Sequence, residues 1–271
     1  MKELYEHATK SENENLSIIV GWNGDIGKIA PEVTDFLNKK LLCKSFYEIE
    51  PNGFFSMDGV AIEDDCIEFP ESRFFYDQTR NLVIFKSDQP SYYHYKYLNH
   101  ILDVPVRFGQ IKELYTINGM IAQKPHTALR RIFGVFNHLK FREVLHLYDI
   151  KELTWEGHPA ISSFLLWIAQ RKKIPGLSLW LEVPFYLAPV EDFYAIKQVL
   201  SFFDKRFNLN LKITEIDTKI KDQEKTIEEL RIEDKEVDKY IGLLESGLEL
   251  DEVAQLKLAQ RIYEHLRINC E

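Results

Sequence analysis

The sequence predicts an α/β protein with a largely parallel sheet and a helical tail. Two observations carry this. Short apolar runs bounded by turn residues alternate with amphipathic stretches from Leu16 to Phe203, and from Ile213 the apolar spacing changes to threes and fours. Leu16–Val20 reads as a first buried strand ending at Gly21, followed by a glycine-punctuated loop and a helix over 26–40. Residues 43–49 form a second strand, and 54–76 a small β excursion of short pieces between turn residues.

Asn81–Phe85 is the next strand, after which Pro90 opens an aromatic-rich helix to Leu102. Residues 111–117 and 131–136 suit strands separated by a turn at Asn118-Gly119. The remaining alternation is a helix over 161–170, a strand over 176–183 and a helix over 193–203. Sheets of this rhythm are covered by helices on both faces.

In the tail, Ile213, Ile216, Ile220, Ile227, Leu230, Val237, Ile241 and Leu244 mark a heptad seam interrupted at Gln223 and Asp234. An unbroken helix of about 32 residues would extend about 48 Å. Gly242 and Gly247 flank a turn, and Asp251 is placed to cap a second helix with Val253, Leu256, Ala259, Tyr263 and Leu266 on one face. Periodicity suits both a hairpin within the chain and a coiled coil between subunits, and the reading leans toward an oligomer interface. The expected organisation is a polar segment 1–15, an α/β domain 16–211 and a helical tail 212–271.

Composition narrows the function. With 271 residues, 45% of them hydrophobic, the chain can bury one sizeable core. A net charge of −9 and basic residues dispersed among acids argue against nucleic acid as a partner. The dense basic stretch, Arg171-Lys172-Lys173, falls at a predicted helix end, where cations meet the negative end of the dipole. Cys43, Cys66 and Cys270 show no disulfide or zinc spacing, and the eight histidines show no i, i+4 pairing, so no metal and no cofactor is expected. Residues 1–15 lack the apolar stretch of a signal peptide, and no apolar run is long enough for a membrane span. The expected location is the cytoplasm.

Polar residues at predicted loop ends are the candidate cleft: Asn23, Gly24, Asp25, His126, His158 and Glu182. The loop Gly21-Trp22-Asn23-Gly24-Asp25-Ile26-Gly27 joins a strand to a helix, where backbone N–H groups can hold an anion. Its glycine spacing departs from the dinucleotide fingerprint, however. The favoured reading is a tight turn in which glycine supplies positive φ and Asn23 or Asp25 caps the helix. His126 lies in an exposed-looking cluster with Arg130 and Arg131, suited to a general base or an anion ligand, with no nucleophile identifiably paired to it. His158 precedes the 161–170 helix and Glu182 ends the 176–183 strand, where they could form an acid–base pair. No catalytic residue is assigned.

Three segments, GWNGDIGKIA from Gly21, KPHT from Lys124 and GHPAISSFLLWIAQRKKIPGLSLWLEVPFYLA from Gly157, resemble the proteasome assembly chaperone 2 family. The third carries most of the likeness: a glycine-proline helix start, a small-residue helix, and a strand ending in a valine-proline-aromatic-tyrosine corner. The resemblance implies a three-layer α/β/α domain related to the phosphorylase and hydrolase folds over residues 16–211, usually in homo-oligomers. It implies a non-catalytic assembly protein, a trimer or larger, with a protein client. The alternative is a hydrolase, phosphorylase or ATP-dependent ligase acting on a nucleotide-like or other anionic substrate. His158 and Phe185 depart from the family pattern, and Ile268-Asn269-Cys270-Glu271 lacks the hydrophobic-tyrosine ending of some proteasome-binding relatives.

Overall fold

A computed structural model describes residues 15–56, 61–63, 66–154 and 160–268. They form two compact units. The first comprises the described parts of Met1–Gly24, Val33–Asn118 and Phe133–Trp180, and the second those of Asp25–Glu32, Gly119–Ile132 and Leu181–Glu271. The fold is of the expected α/β/α class, a mixed eight-stranded sheet with helices on both sides.

In chain order the elements are β1 (Asn15–Trp22), α1 (Ile29–Leu41), β2 (Lys44–Glu48), β3 (Ala61–Glu63), β4 (Cys66–Glu68), β5 (Ser72–Asp77), β6 (Leu82–Ser87) and α2 (His94–Val106). They continue with β7 (Gln110–Ala122), β8 (Ile132–Phe136), α3 (Phe141–Leu147), β9 (Lys151–Glu152), α4 (Ile161–Arg171), β10 (Gly176–Pro184), α5 (Phe193–Phe207), α6 (Thr214–Glu233), α7 (Lys235–Glu245) and α8 (Glu252–Ile268). The strand order is β2-β5-β6-β1-β7-β10-β8-β9, and β3 and β4 make a separate antiparallel pair.

β1 lies between parallel neighbours β6 and β7, so Ile18, Ile19 and Val20 are all buried, as an apolar run without alternation requires. The sheet is less parallel than the alternation suggested, because β5 runs antiparallel to both β6 and β2. In the first unit, Ile18, Val20 and Trp22 pack with Tyr97, Leu98 and Ile101 of α2 and with Leu165 and Ile168 of α4. Phe141 of α3, a helix too short to announce itself in the periodicity, meets Tyr115 edge-on at 5.8 Å.

Two boundaries shift for local reasons. α2 starts at His94 and not at Pro90, because the Ser91 and Tyr92 amides donate to the Phe54 carbonyl at 2.8 and 2.9 Å, and Tyr93 then takes φ +53. β7 continues through the expected turn at Asn118-Gly119 as far as Ala122. Asn118 is buried there, its Nδ2 donating to Ser178 Oγ at 2.8 Å and to the Leu179 carbonyl at 3.2 Å.

In the second unit the tail differs from a single hairpin. The long helix is divided at Asp234, whose backbone is extended (φ −116, ψ 102) and whose carboxylate accepts the Glu236 and Val237 N–H groups, capping α7. The seam residues Ile216, Ile227, Leu230, Val237, Ile241 and Leu244 are buried, and α6 packs on α5, α7 and α8. Those seam positions are covered within this chain, against the leaning toward a subunit interface. Asp251 caps α8 as expected, accepting the Ala254 N–H at 2.8 Å. The α8 face is rotated from the expected one. Ala254, Leu258, Ile262 and Leu266 are buried, while Val253 and Leu256 are exposed.

Candidate functional site

In the first unit, Asn23 follows β1, its amide donating to the Ser87 carbonyl at 2.8 Å. Its Oδ1 is buried and has no hydrogen-bond donor among the described residues. Gly24 is exposed, and a Cβ there would meet nothing within 4 Å. Just before them, Trp22 Nε1 donates to Ser162 Oγ at 3.0 Å, and Ser162 donates to Asn118 Oδ1 at 2.7 Å. A buried chain of polar groups thus ties β1, α4, β7 and β10 together, and its members satisfy one another, which keeps their burial affordable.

In the second unit, Asp25 is half-buried and caps the start of α1 through Ala30 N at 3.0 Å, while its other oxygen accepts the Gly119 N–H at 2.8 Å. This is the capping role read from the loop. Burial pushes the Asp25 carboxyl up to about 7, against the Gly119, Ala30 and Ile26 backbone donors that favour its ionised form. Gly27 has φ +68, and a Cβ there would press on Val183 at 3.1 Å, so glycine is required both for its conformation and for space. Its N–H donates to the Ala188 carbonyl, and its carbonyl accepts from Asp192 N. Gly119 is required for a different reason: a Cβ would fall inside the Ile26 carbonyl oxygen.

The cluster around His126 is buried, contrary to the exposed loop expected. His126 and Arg130 are 6% and 4% accessible. Tyr186 OH lies 3.0 Å from His126 Nδ1 and accepts the His126 N–H at 2.5 Å. Burial, and then the Arg130 and Arg231 charges, lower the His126 pKa to about 4, so the imidazole is neutral near pH 7. Arg130 is held on all sides. Its Nε and Nη2 meet Asp192 at 2.7 and 3.3 Å, and Nη1 donates to the His126 and Ala128 carbonyls at 2.8 and 2.6 Å. Asp192 also caps α5 through Ala195 N at 3.1 Å.

Glu182 is buried at the end of β10 and is engaged by Arg131 through two bonds, Nε to Oε2 at 2.7 Å and Nη2 to Oε1. Its amide also donates to the Arg131 carbonyl at 3.1 Å. The acid–base pairing of Glu182 with His158 involves a residue outside the described ones. Asp25, Glu182 and His126 of the candidate set therefore have structural partners that hold loops and helix starts. Tyr186, Arg130 and Asp192 form the most enclosed polar group of the second unit. Single-residue reading passed over Asp192, whose position directly before α5 was the available signal. No cluster of three or more His, Cys, Asp or Glu suited to a metal occurs among the described residues. No described helix is long and apolar enough to cross a membrane.

A protein of Methanocaldococcus jannaschii without an assigned function is 27% identical over 225 residues, 80% of this chain and 84% of the relative. Among solved structures, a proteasome-assembly chaperone homologue of Mycobacterium tuberculosis superposes with a TM-score of 0.71 at 16% identity, over 83% of this chain and 100% of that one. PbaB of Pyrococcus furiosus, an archaeal proteasome activator, superposes with a TM-score of 0.68 at 22% identity, over 83% and 96%. At these identities the structures show a common fold. Family membership rests on the sequence: residues 18–231 match the model of the PAC2 family, and the chain belongs to that family.

Proposed function

We propose that this protein is a non-catalytic, self-associating component of protein assembly in the cytoplasm, a homo-oligomer of three or more copies that binds a protein client. The observation that carries the reading is the use to which the candidate chemistry is put. Asp25 caps a helix, Glu182 is bound to Arg131, and His126 faces a tyrosine hydroxyl as a neutral imidazole. Each is engaged by a partner within the chain. Family membership supports the same reading. The test is native mass spectrometry of the protein isolated gently from its own cells. A homo-oligomer carrying a defined second protein at fixed stoichiometry is expected, and a monomer without protein partners refutes the proposal.

One observation favours a second reading, an enzyme acting on a nucleotide-like or other anionic substrate. The buried Asn23 Oδ1 is an acceptor without a donor, and a hydroxyl or amino group of such a ligand would supply one. Equilibrium dialysis against a nucleotide and nucleoside panel, with Asn23→Ala as the control, decides it. Binding that the variant loses supports this reading, and no retained ligand across the panel removes it.

A further inference from the structure

Among the exposed apolar residues of the described surface, two groups differ in electrostatic character. In the first unit, the start of α2 and the outer face of α4 present aromatic rings. Tyr93, Tyr95 and Trp167 are 71%, 52% and 44% accessible. Tyr95 lies 6.4 Å from both Phe164 and Trp167, and the Arg171 guanidinium sits 5.1 Å over the Trp167 ring. Tyr93 holds a left-handed backbone (φ +53) without glycine's freedom and makes no side-chain cap. Strain of this kind concentrates at functional surfaces. The charges on these two helices and at the end of α4 are mainly positive: Lys96, Arg171, Lys172 and Lys173, with Asp103 bound by Lys172 at 2.6 Å.

The second unit carries the counterpart. At the corner leading into α8, Leu248, Val253 and Leu256 are 55%, 64% and 72% accessible, and Glu249, Asp251 and Glu252 stand among them, all exposed. Rings flanked by cations match aliphatic side chains flanked by carboxylates. Two aromatic faces meeting about a two-fold axis would instead oppose like charges. We propose that the aromatic face of α2 and α4 is a docking surface whose occupant is a second copy of this chain, entering with its Leu248–Leu256 corner. Such a contact is heterologous, so repetition closes a ring where the rotation permits. Aromatic and arginine anchors are the composition expected of a binding hot spot.

This inference names the self-association surface and so rests on the oligomeric part of the preceding proposal. The test is sedimentation velocity of the full-length protein across a concentration series, with circular dichroism to confirm that each variant is folded. The wild type should associate. Trp167→Ser should weaken association by roughly tenfold or more, as loss of a hot-spot ring does. Two charge variants, Lys96→Glu with Arg171→Glu, and Glu249→Lys with Glu252→Lys, should each lose association alone. Mixed in equal amounts they should regain it, because the altered face of one then meets the altered corner of the other. A monomeric wild type overturns both the inference and the self-association it rests on. Association that survives all three variants, or that mixing fails to restore, overturns this interface and leaves self-association standing.

Discussion

Replacing Asp192 tests whether the polar group at the start of α5 is a structural keystone. Its carboxylate is fully enclosed, and the Arg130 side chain is buried with it. Asp192→Ala would leave a buried guanidinium without its counter-charge, at a cost of about 3–5 kcal/mol. Loss of the cap on Ala195 N adds about 1 kcal/mol. The sum, about 4–6 kcal/mol, is a large share of the roughly 5–15 kcal/mol that stabilises a typical domain. The exposed pair Lys28–Glu191, 2.8 Å apart, provides the contrast, and Lys28→Ala should cost under about 1 kcal/mol. The assay is urea unfolding followed by both far-ultraviolet circular dichroism and tryptophan fluorescence, for Asp192→Ala, Arg130→Ala and the double variant. The double variant should be much less destabilised than the sum of the singles, since removing both charges removes the unpaired one. A coupling energy below about 0.5 kcal/mol would show that the two residues act independently and would refute the argument.

Three further predictions concern the same unit. Asp25 has its folded pKa raised toward 7, so its protonation favours the fold below its unfolded value and that contribution fades as pH rises through 7. His126, lowered to about 4, acts in the opposite sense: its contribution is complete above the unfolded histidine value and is lost as pH falls through 4. Asp25→Asn should therefore unmask a urea midpoint that climbs steadily from pH 4 to 6.5, and a midpoint–pH slope unchanged from the wild type would count against the Asp25 assignment. Gly119→Ala drives a methyl group into the Ile26 carbonyl and strains the Asp25 contact, and should destabilise by about 1–3 kcal/mol or more in the same assay. Asp234→Ala removes two capping bonds from α7 and should lower stability by about 1 kcal/mol, while no change would place the break between α6 and α7 under other control.

The sequence was most legible where a local rule and the tertiary structure agree. The β1 run, the positive φ of Gly27 and the caps by Asp25 and Asp251 all follow from residue chemistry acting within a few positions. It was least legible where a distant partner decides. Asn118-Gly119 has turn composition, yet Asn118 is drawn into the sheet by Ser178, and Gly119 serves to admit the Ile26 carbonyl. Pro90 suits a helix start, but the Phe54 carbonyl takes the next two amides. The cluster around His126 is polar enough to look exposed, and what buries it is compensation by Asp192 and Tyr186, some 60 residues along the chain. Of the candidate site, the capping role of Asp25 could be read in advance, whereas the pairings of Glu182 and His126 required the third dimension. His158 lies outside the described residues.

The second unit is assembled from three stretches of chain, 25–32, 119–132 and 181–271. This sets a schedule for its birth on the ribosome. The first stretch is made early, but Asp192, which binds the Gly27 carbonyl and Arg130, emerges about 160 residues later. At ordinary elongation rates that is a wait of roughly 10–30 s. Throughout that interval the loop at Gly27 has no anchor, and Arg130, made part-way through it, waits a further 62 residues for its counter-charge. A chain halted before α5 would therefore display a nascent, half-tied polar cluster, a form that protein quality control could distinguish from the finished molecule.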